Sequence, residues 1–483
     1  MGENVRHKLP GGGREVARGL VGSGGANRAP LSANFRERIR ACSWPARGLV
    51  LASRVGRAMG PASDALSIRR PVDAQRLGPS PVGRHPPGTF ARCAGTPAAT
   101  RLPRVEVVVV AETLEGERRV AAVPETVGKL VNAGLKVAVQ AGAGRYAFLP
   151  DEAYVDKGAR ILDDRVSLLG SRGVLIKVQP PTLEEVELLP EGSALICMLA
   201  PSSFPDIIRA LAKRNITSFA LELVPRTTRA QSMDVLSSQA LVGGYRAALS
   251  AARLLPKFFP MFMTAAGTVR PARVFVLGAG VAGLQAIATA HRLGAVVDAY
   301  DVRAAAAEEV RSLGAKFLVL ELETQEGTGG YARAQSEDFI AKQRKLLTEH
   351  LAQVDAVITT AAVPGRRAPI LVTAEMVKVM RPGSVIVDLA ADSGGNCELT
   401  EAGREILVDG VTVYGMSQAP SELPMHASEL FARNVANLLL IMIKDGEFAP
   451  DFADDILVGC CVTRDGDVVH PAAREALGLE ARA

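Results

Sequence analysis

The sequence has no apolar run long enough to cross a lipid bilayer. A membrane-spanning helix needs about 20 consecutive, mostly apolar residues, whereas the longest candidate here, VANLLLIMI at 435–443, is about half that length and includes Asn437. No apolar stretch of sufficient length for a signal-peptide core follows the start. We therefore expect a protein with no transmembrane segment of its own and no secretory signal.

Cysteine and histidine are scarce, which argues against several kinds of site. The six cysteines form no C-x-x-C pair, so free thiols in the cytosol are expected. No H-E-x-x-H or other metal-ligand spacing occurs, and we expect no metal site. Four histidines follow residue 103, and none of them lies at the end of a predicted strand in the second half of the chain, where a catalytic acid–base group is expected: His291, His350, His426 and His470.

Acidic residues are scarce only in the first hundred residues, which are rich in Arg, Gly, Pro, Ala and Ser. That stretch has 16 basic residues against five acidic ones, and it shows no sustained helical or strand period. We interpret residues 1–103 as a disordered basic leader or as sequence upstream of a misassigned start; an arginine-rich targeting leader is the alternative. The remaining chain has 40 basic and 46 acidic residues, so its charge does not favour nucleic-acid binding.

From Val105 onward, apolar strand-like runs alternate with helical segments. This alternation predicts an α/β fold with parallel sheets. We expect two Rossmann-like domains that are joined by long helices and have a cleft between them. The first domain is predicted to span 104–240 and to be completed by 426–483, and the second to span 241–425.

Two helices and one loop define this division. Helices are predicted over 239–260, between the domains, and over 426–443, where the chain returns to the first domain. The polar segment 323–345 contains three glycines and interrupts the second domain. It is either a plain surface loop or a mobile flap over a ligand, because long loops in compact domains often act as lids.

A glycine fingerprint identifies a nucleotide site. Gly278, Gly280 and Gly283 follow the apolar strand RVFVL and open a helix, and Asp301 ends the next strand 18 residues later. This order is typical of a dinucleotide site, in which pyrophosphate lies at the helix N-terminus and the acid binds a ribose hydroxyl. Asp301 favours NAD over NADP, although Arg303 is a mild counter-argument.

Two further polar features are candidates for the cleft. Asp392 follows a predicted strand, and it is either a turn residue before two glycines or a catalytic carboxylate. The segment VPRTTRAQSMDVLSSQ at 224–239 is either a capped surface loop or a polar platform that faces the nucleotide.

Seven motifs resemble the NAD(H)-binding component, domain I, of proton-translocating NAD(P) transhydrogenase. They are PRTTRAQSMD (225–234), FMTAAGTVRPARV (262–274), GAGVAGLQAIATAHRLGAVV (278–297), ITTAAVPGRRAP (358–369), GSVIVDLA (383–390), GGNC (394–397) and CVTRDGDVVHP (461–471). The resemblance covers about 104–483, and the chain stops where that component ends when it is encoded as a separate alpha subunit.

Alanine dehydrogenase, which shares this fold, is the alternative. This chain is similar to it at Arg119, Lys177 and Asp392. Where the dehydrogenase has a catalytic histidine, however, this chain has Met198, whose thioether cannot transfer a proton. A NAD-binding protein without turnover is a third possibility.

The resemblance implies that hydride passes directly from NADH on this chain to NADP⁺ on a beta component, with the Si-specific, Re-side stereochemistry of the family and no accompanying proton. It implies a homodimer in the cytoplasm, peripheral on the inner face of the cell membrane through a membrane component that translocates protons. The residues that it assigns to catalysis are Arg226, Gln231 and Asp234. Those that it assigns to cofactor binding are the same three with Thr227, Thr228, Arg229, Ser232, Met233, Ser237, Gly278, Gly280, Val281, Gly283, Asp301, Val302, Arg303, Gly330, Tyr331, Gln343 and Ala362.

Overall fold

The computed structural model describes residues 105–319, 337–363 and 365–480. The predicted leader, 1–103, and residues 323–336 of the predicted loop lie outside these ranges. Within them, the chain forms an α/β structure with two large, mostly parallel sheets, as the alternating pattern predicts. In this part of the chain no helix is both long and apolar enough to span a membrane.

The first sheet contains six parallel strands, in the order β6-β5-β4-β1-β2-β3. Because the chain winds outward in both directions from β1 and β4, the loops at their carboxyl ends diverge and leave a crevice. The strands are Glu106–Val109 (β1), Lys136–Gln140 (β2), Arg160–Leu162 (β3), Gly173–Ile176 (β4), Ala194–Cys197 (β5) and Thr217–Ala220 (β6).

Five helices connect these strands. Proline at the first position and glycine after the end delimit α1: Gly134 has a φ of 86°, a conformation that glycine adopts without steric cost. Thr182 and Glu185 form a reciprocal capping box at the start of α4. The helices are Pro124–Asn132 (α1), Asp151–Val155 (α2), Arg165–Leu169 (α3), Leu183–Leu188 (α4) and Pro205–Lys213 (α5).

The long helix between the sheets, α6, spans Val235–Leu254 rather than the predicted 239–260. It begins earlier because the carboxylate of Asp234 accepts a hydrogen bond from the backbone N–H of Ser237 at 2.9 Å and so caps the helix. It ends earlier because Leu255 precedes a proline and is extended. The expected domain boundary at 240/241 therefore falls inside one continuous helix.

The second sheet has the order β11-β10-β9-β12-β13-β15-β14, in which only β14 is antiparallel. The strand order reverses between β9 and β12, which places the crevice of this sheet at the carboxyl end of β9. The strands are Arg273–Leu277 (β9), Val296–Tyr300 (β10), Lys316–Phe317 (β11), Ala356–Thr359 (β12), Val385–Asp388 (β13), Glu405–Val408 (β14) and Val411–Gly415 (β15). The helices are Val281–Arg292 (α7), Ala306–Ser312 (α8), Glu337–Leu351 (α9) and Ala374–Lys378 (α10).

The C-terminal part of the chain packs on the first sheet. The helix predicted over 426–443 spans Pro424–Leu440 (α11), and Phe431, Val435 and Leu438 enter the core of that sheet. After the short hairpin Ile443–Lys444 (β16) and Glu447–Phe448 (β17) and the helix Asp455–Cys460 (α12), Cys461–Arg464 (β18) pairs antiparallel with β6. Asp467–Val468 (β19) and Pro471–Ala476 (α13) complete the described chain.

Three strand features carry little apolar signal in the sequence. Strands β3 and β14 are short edge strands whose residues are only partly buried or exposed, so they carry little apolar signal. The third is the exposed hairpin Phe262–Thr264 (β7) and Gly267–Val269 (β8). The apolar run at 217–223 leaves the sheet after Ala220 and continues as a 3₁₀ turn.

Helices α6 and α7 pack with almost no space between their backbones. A Cβ atom on Gly244 would lie 2.0 Å from the carbonyl oxygen of Ala282 in the first turn of α7. Only glycine permits this approach. The connecting helix therefore contacts the nucleotide-site helix directly.

Replacing Gly244 by alanine should lower the free energy of unfolding by about 1–3 kcal/mol, because an overpacked interface forces the backbones apart. Gly243→Ala is the matched control, since its Cβ would meet Leu389 at 3.6 Å and Ala419 at 3.7 Å, which are ordinary contacts. The control should be neutral or slightly stabilising, because alanine favours a helix. Urea denaturation measures the free energy of unfolding of both variants, and equal denaturation midpoints would contradict the close approach.

Candidate functional site

The carboxyl ends of the two parallel sheets face each other. Beyond β5, the hydroxyl of Ser202 donates a hydrogen bond to the carbonyl of Gly365, which follows β12, at 3.4 Å. Beyond β1, the carbonyl of Glu115 accepts a hydrogen bond from the side chain of Gln418, which follows β15, at 2.9 Å. These contacts bring together the loops at the carboxyl ends of the two sheets, and we call the space between these loops the cleft, because open α/β sheets bind ligands there.

The glycine turn after β9 leaves room for a pyrophosphate. Gly278 has a φ of 98°, and a Cβ on Gly283 would lie only 1.8 Å from the Gly278 carbonyl oxygen. Both residues must therefore be glycine for α7 to start so close to its strand. A Cβ on Gly280 would meet nothing within 4 Å, so the space in front of this residue is open. The turn fits the pyrophosphate of a dinucleotide.

The first turn of α7 directs backbone N–H groups into that space. Gly280 is the N-cap residue, and no side chain caps the helix. Val281, the first helical residue, is 42% exposed. The unsatisfied N–H groups and the positive end of the helix dipole attract a bound phosphate.

Asp301, at the end of β10, is held within the site by several donors. One carboxylate oxygen accepts from the backbone N–H of Ala279 at 2.7 Å, and the other accepts from that of Arg303 at 2.8 Å. The Arg303 guanidinium donates to both oxygens at 3.0 Å. Burial disfavours the charged carboxylate, but these donors outweigh burial and hold the pKa of Asp301 below its usual range.

This arrangement gives Asp301 a role that the sequence did not suggest. It ties the glycine turn to β10, because Ala279 lies inside that turn. Arg303, which counted against NAD in the sequence, neutralises Asp301 in the structure. Val302 packs against the core beneath. The preference of the site for NAD stays a prediction.

The loops after β12 and β13 are joined by Asn396, a fully buried residue that the sequence presents only as one letter of the GGNC motif. Its side chain accepts from the backbone N–H of Ala361 at 2.9 Å and donates to the carbonyl of the same residue at 2.7 Å. Asp388 in turn accepts from the backbone N–H of Asn396 at 2.7 Å. This network fixes the exposed Ala362 at the edge of the cleft.

Only a fraction of the predicted flap can be placed. Gly330 and Tyr331 lie outside the described residues. Gln343 is buried on α9, where its amide donates to the hydroxyl of Tyr300 at 3.1 Å. Tyr300 immediately precedes Asp301, so α9 is fastened to the strand that carries the candidate ribose acceptor.

The segment 225–234 follows the carboxyl end of β6 and reaches α6. Its centre, Thr228–Met233, is a 3₁₀ helix. Ala230 and Met233 are buried in the core of the first sheet, so Met233 contributes packing. Asp234 accepts from the Ser237 hydroxyl at 2.6 Å as well as from its backbone N–H. The other predicted site residues of this segment are wholly or partly exposed: Arg226, Thr227, Thr228, Arg229, Gln231 and Ser232.

The exposed side chain of Arg229 is engaged with the C-terminal part of the chain. Its guanidinium donates to Asp454 at 2.8 Å and also pairs with Asp455, at the start of α12. Exposed ion pairs contribute little to stability. The contacts of Arg229 nevertheless link the 225–234 segment to the start of α12.

A buried ion pair lies where the two halves of the chain meet. Arg119 donates to both carboxylate oxygens of Glu117, at 2.8 and 2.6 Å, and to Gln239 of α6 at 2.9 Å. Burial opposes the charge on Glu117, but Arg119 and the donors Gln179 and Ser421 hold its pKa at about 2. All of these partners of the carboxylate are supplied by the protein itself.

Lys177 and Met198 also lie on the first sheet. The Lys177 ammonium is 3.0 Å from Glu185 and 3.7 Å from Glu112, and it is 1% exposed. Met198 packs against the apolar core of the sheet. Met198, which the resemblance places where alanine dehydrogenase has its histidine, is therefore partly buried against apolar side chains.

The remaining polar candidates have structural partners. Asp392 accepts from the Ser417 hydroxyl at 2.7 Å and from the Gln418 backbone at 2.8 Å, which agrees with the loop interpretation. His350 lies 3.1 Å from Asp298 and packs against Phe275 at 4.4 Å between ring centroids. Among the described residues, no group of three side chains could hold a metal ion.

Comparison with known proteins identifies the family. Models of the alanine dehydrogenase/PNT N-terminal and C-terminal domains match residues 108–243 and 247–471. In Rhodospirillum rubrum, the first portion of NAD(P) transhydrogenase subunit alpha is 47% identical to this chain over 378 residues, which cover 76% of this chain and 98% of the relative. The chain belongs to the NAD(P) transhydrogenase alpha-subunit family.

The structural comparison agrees with this family. The crystal structure of transhydrogenase from Sinorhizobium meliloti is 43% identical, with a TM-score of 0.67, and the match covers 76% of this chain and 99% of that one. Alanine dehydrogenase of Bacillus subtilis is 29% identical over 387 residues, or 76% of this chain and 94% of the relative. The predicted resemblance and fold class are confirmed, and the alanine dehydrogenase/PNT family implies that the transhydrogenase subunit binds NAD(H).

Asp301 provides a test of cofactor choice. Asp301→Ala removes the acceptor for a ribose hydroxyl and should weaken NADH binding by about 1–3 kcal/mol, since a hydrogen bond to a charged group is lost. Asp301→Asn keeps one acceptor oxygen without the charge, so it should weaken NADH binding less and narrow the difference between NADH and NADPH. Fluorescence titration with both nucleotides measures this, and tighter binding of NADPH than of NADH by the wild type would show that the interpretation of Asp301 is wrong.

Proposed function

We propose that this chain holds NADH in the cleft for direct hydride transfer to NADP⁺, which a partner beta component holds against the opening. Bound NADH would supply the hydride, and no proton would accompany it. The observation that carries the proposal is the combination of a complete pyrophosphate turn with the apolar side chain of Met198.

The residues of the chain support catalysis by positioning. Gly280 and the first turn of α7 would hold the pyrophosphate, and Asp301 would accept from the adenosine ribose. Arg226, Gln231 and Asp234 would hold the nicotinamide end. Two nicotinamide rings react when their C4 atoms approach to roughly 3–3.5 Å, and that alignment can account for several kcal/mol of the barrier.

The exposure of the 225–234 segment supports a partner at this place. Arg226, Gln231 and Ser232 are polar residues that stay wholly or partly exposed, although the segment beneath them is anchored in the core. An enzyme that finished its reaction alone would bury such side chains around its substrate. We infer that the NADP-binding component covers them.

We extend the proposal to the rest of the complex. Proton translocation would belong to a membrane component, to which this chain would attach from the cytoplasm, and hydride transfer would have the Si-specific, Re-side stereochemistry. We also propose a homodimer. The apolar side chains of the β7–β8 hairpin region support it, since Met261, Phe262 and Met263 are 58%, 44% and 76% exposed, and such patches mark association surfaces.

Amino-acid dehydrogenation is the second candidate, and Arg119 and Lys177 favour it, as cations that suit a carboxylate substrate. Both cations are already paired with glutamates of the chain. Oxidation of an amine also requires a group that accepts a proton, which Met198 cannot do. Transhydrogenation therefore fits the site better.

Gln231→Asn tests the assignment of the nicotinamide end. The substitution keeps the amide and shortens its reach by one methylene, so NADH affinity should change little. The rate of hydride transfer should fall by about tenfold or more, because small displacements destroy near-attack geometry. Stopped-flow transfer to NADP⁺ in the reconstituted complex and NADH titration of the isolated chain measure the two quantities.

Gln353→Asn, at an exposed glutamine after α9, is the matched control and should change neither quantity. An effect on transfer alone is the signature of an interaction made in the transition state. Loss of NADH affinity at an unchanged transfer rate would place Gln231 among ordinary binding residues and contradict the proposal.

A further inference from the structure

Two asparagines of α11 hold the peptide bond between Ser232 and Met233, one residue beyond Gln231. The side-chain amides of Asn434 and Asn437 both donate to the carbonyl oxygen of Ser232, at 2.8 and 3.0 Å. A backbone carbonyl has two lone pairs, and here both are used by one helix. Ser232 immediately follows Gln231, so this carbonyl is one of the groups that fix where the Gln231 side chain begins.

The amide of Asn434 is itself held in one orientation. Its oxygen accepts a hydrogen bond from the Ser238 hydroxyl at 2.7 Å, while its nitrogen donates to Ser232. Asn434 is 7% exposed. It therefore links three pieces of the fold, namely α11, the first turn of α6 and the 3₁₀ segment.

The base of this arrangement is rigid. Asn434 and Asn437 are three residues apart and so lie on one face of α11. The neighbouring residues Phe431, Val435 and Leu438 are fully or almost fully buried in the core of the first sheet. Helix α11 thus holds the 3₁₀ segment through its backbone, whereas the polar side chains of the segment are exposed.

We propose that Asn434 and Asn437 form an amide clamp on the Ser232 carbonyl that sets the position of Gln231 for hydride transfer. This inference rests on the proposed function, and it makes both asparagines positioning residues that touch no substrate. A segment that only had to stay folded would be served by the burial of Ala230 and Met233. Burial of Ala230 and Met233 does not fix the orientation of the exposed Gln231 side chain, which lies between them in the sequence. Orientation requires a directional contact, and the clamp supplies one.

The test uses the full chain reconstituted with its membrane and NADP-binding components. Asn437→Ala removes one donor from a partly exposed position, and Asn434→Asp keeps the acceptor for Ser238 but replaces the donor by an oxygen. Each variant should bind NADH within about twofold of the wild type and transfer hydride roughly tenfold to a hundredfold more slowly, because alignment is lost while binding contacts are kept. Asn132→Ala, at an exposed asparagine that ends α1, is the matched control and should keep both values.

A double-mutant cycle separates positioning from a merely structural role. If the clamp acts through Gln231, adding Asn437→Ala to Gln231→Ala should slow transfer little beyond Gln231→Ala alone, because coupled residues are not additive. Multiplication of the two losses, a wild-type transfer rate in both clamp variants, or a parallel loss of NADH affinity would each overturn the clamp. Absence of transfer by the wild-type complex would instead overturn the proposed function, so the two failures are distinguishable.

Discussion

The backbone contact between α6 and α7 is the constraint on which the rest of the site depends. Gly244 brings the connecting helix against Ala282, in the first turn of the helix that would receive the pyrophosphate. The connecting helix α6 begins at Val235, directly after the 225–234 segment that carries Gln231. This helix rises about 1.5 Å per residue, so a single element links the segment that carries Gln231 to the first turn of α7.

Several charged side chains around the cleft are paired with one another. Glu117 is paired with Arg119, Asp301 with Arg303, and Lys177 with Glu185, so the chain satisfies its own ionised groups. Such pairs are costly to break when they are buried, and they leave no poised acid or base among these residues. This pairing is consistent with the proposed catalysis by positioning, in which hydride moves without a proton.

The sequence predicted what depends on local pattern. The fingerprint glycines, the acid at Asp301 and the alternation of strands and helices each follow from short-range chemistry, and the structure contains all of them. The features that the sequence did not predict are contacts between distant parts of the chain. In the sequence, Asn396 and Asn434 are ordinary polar residues, and only the fold shows that they donate to backbone carbonyls. Gly244 alone would be expected to destabilise a helix, and only the fold shows that it lies against Ala282. The start of α6 was missed for a local reason, since Asp234 was considered as a site residue and not as a cap.

In the proposed reaction, hydride moves between two nicotinamides without exchange with water. NADH that carries deuterium at the transferred C4 position, supplied to the reconstituted complex with NADP⁺ in ordinary water, tests it most directly. With direct transfer, mass spectrometry should find the deuterium in the NADPH formed and none in the solvent. Label lost to water, or NADPH formed with a hydrogen from the solvent, would contradict it.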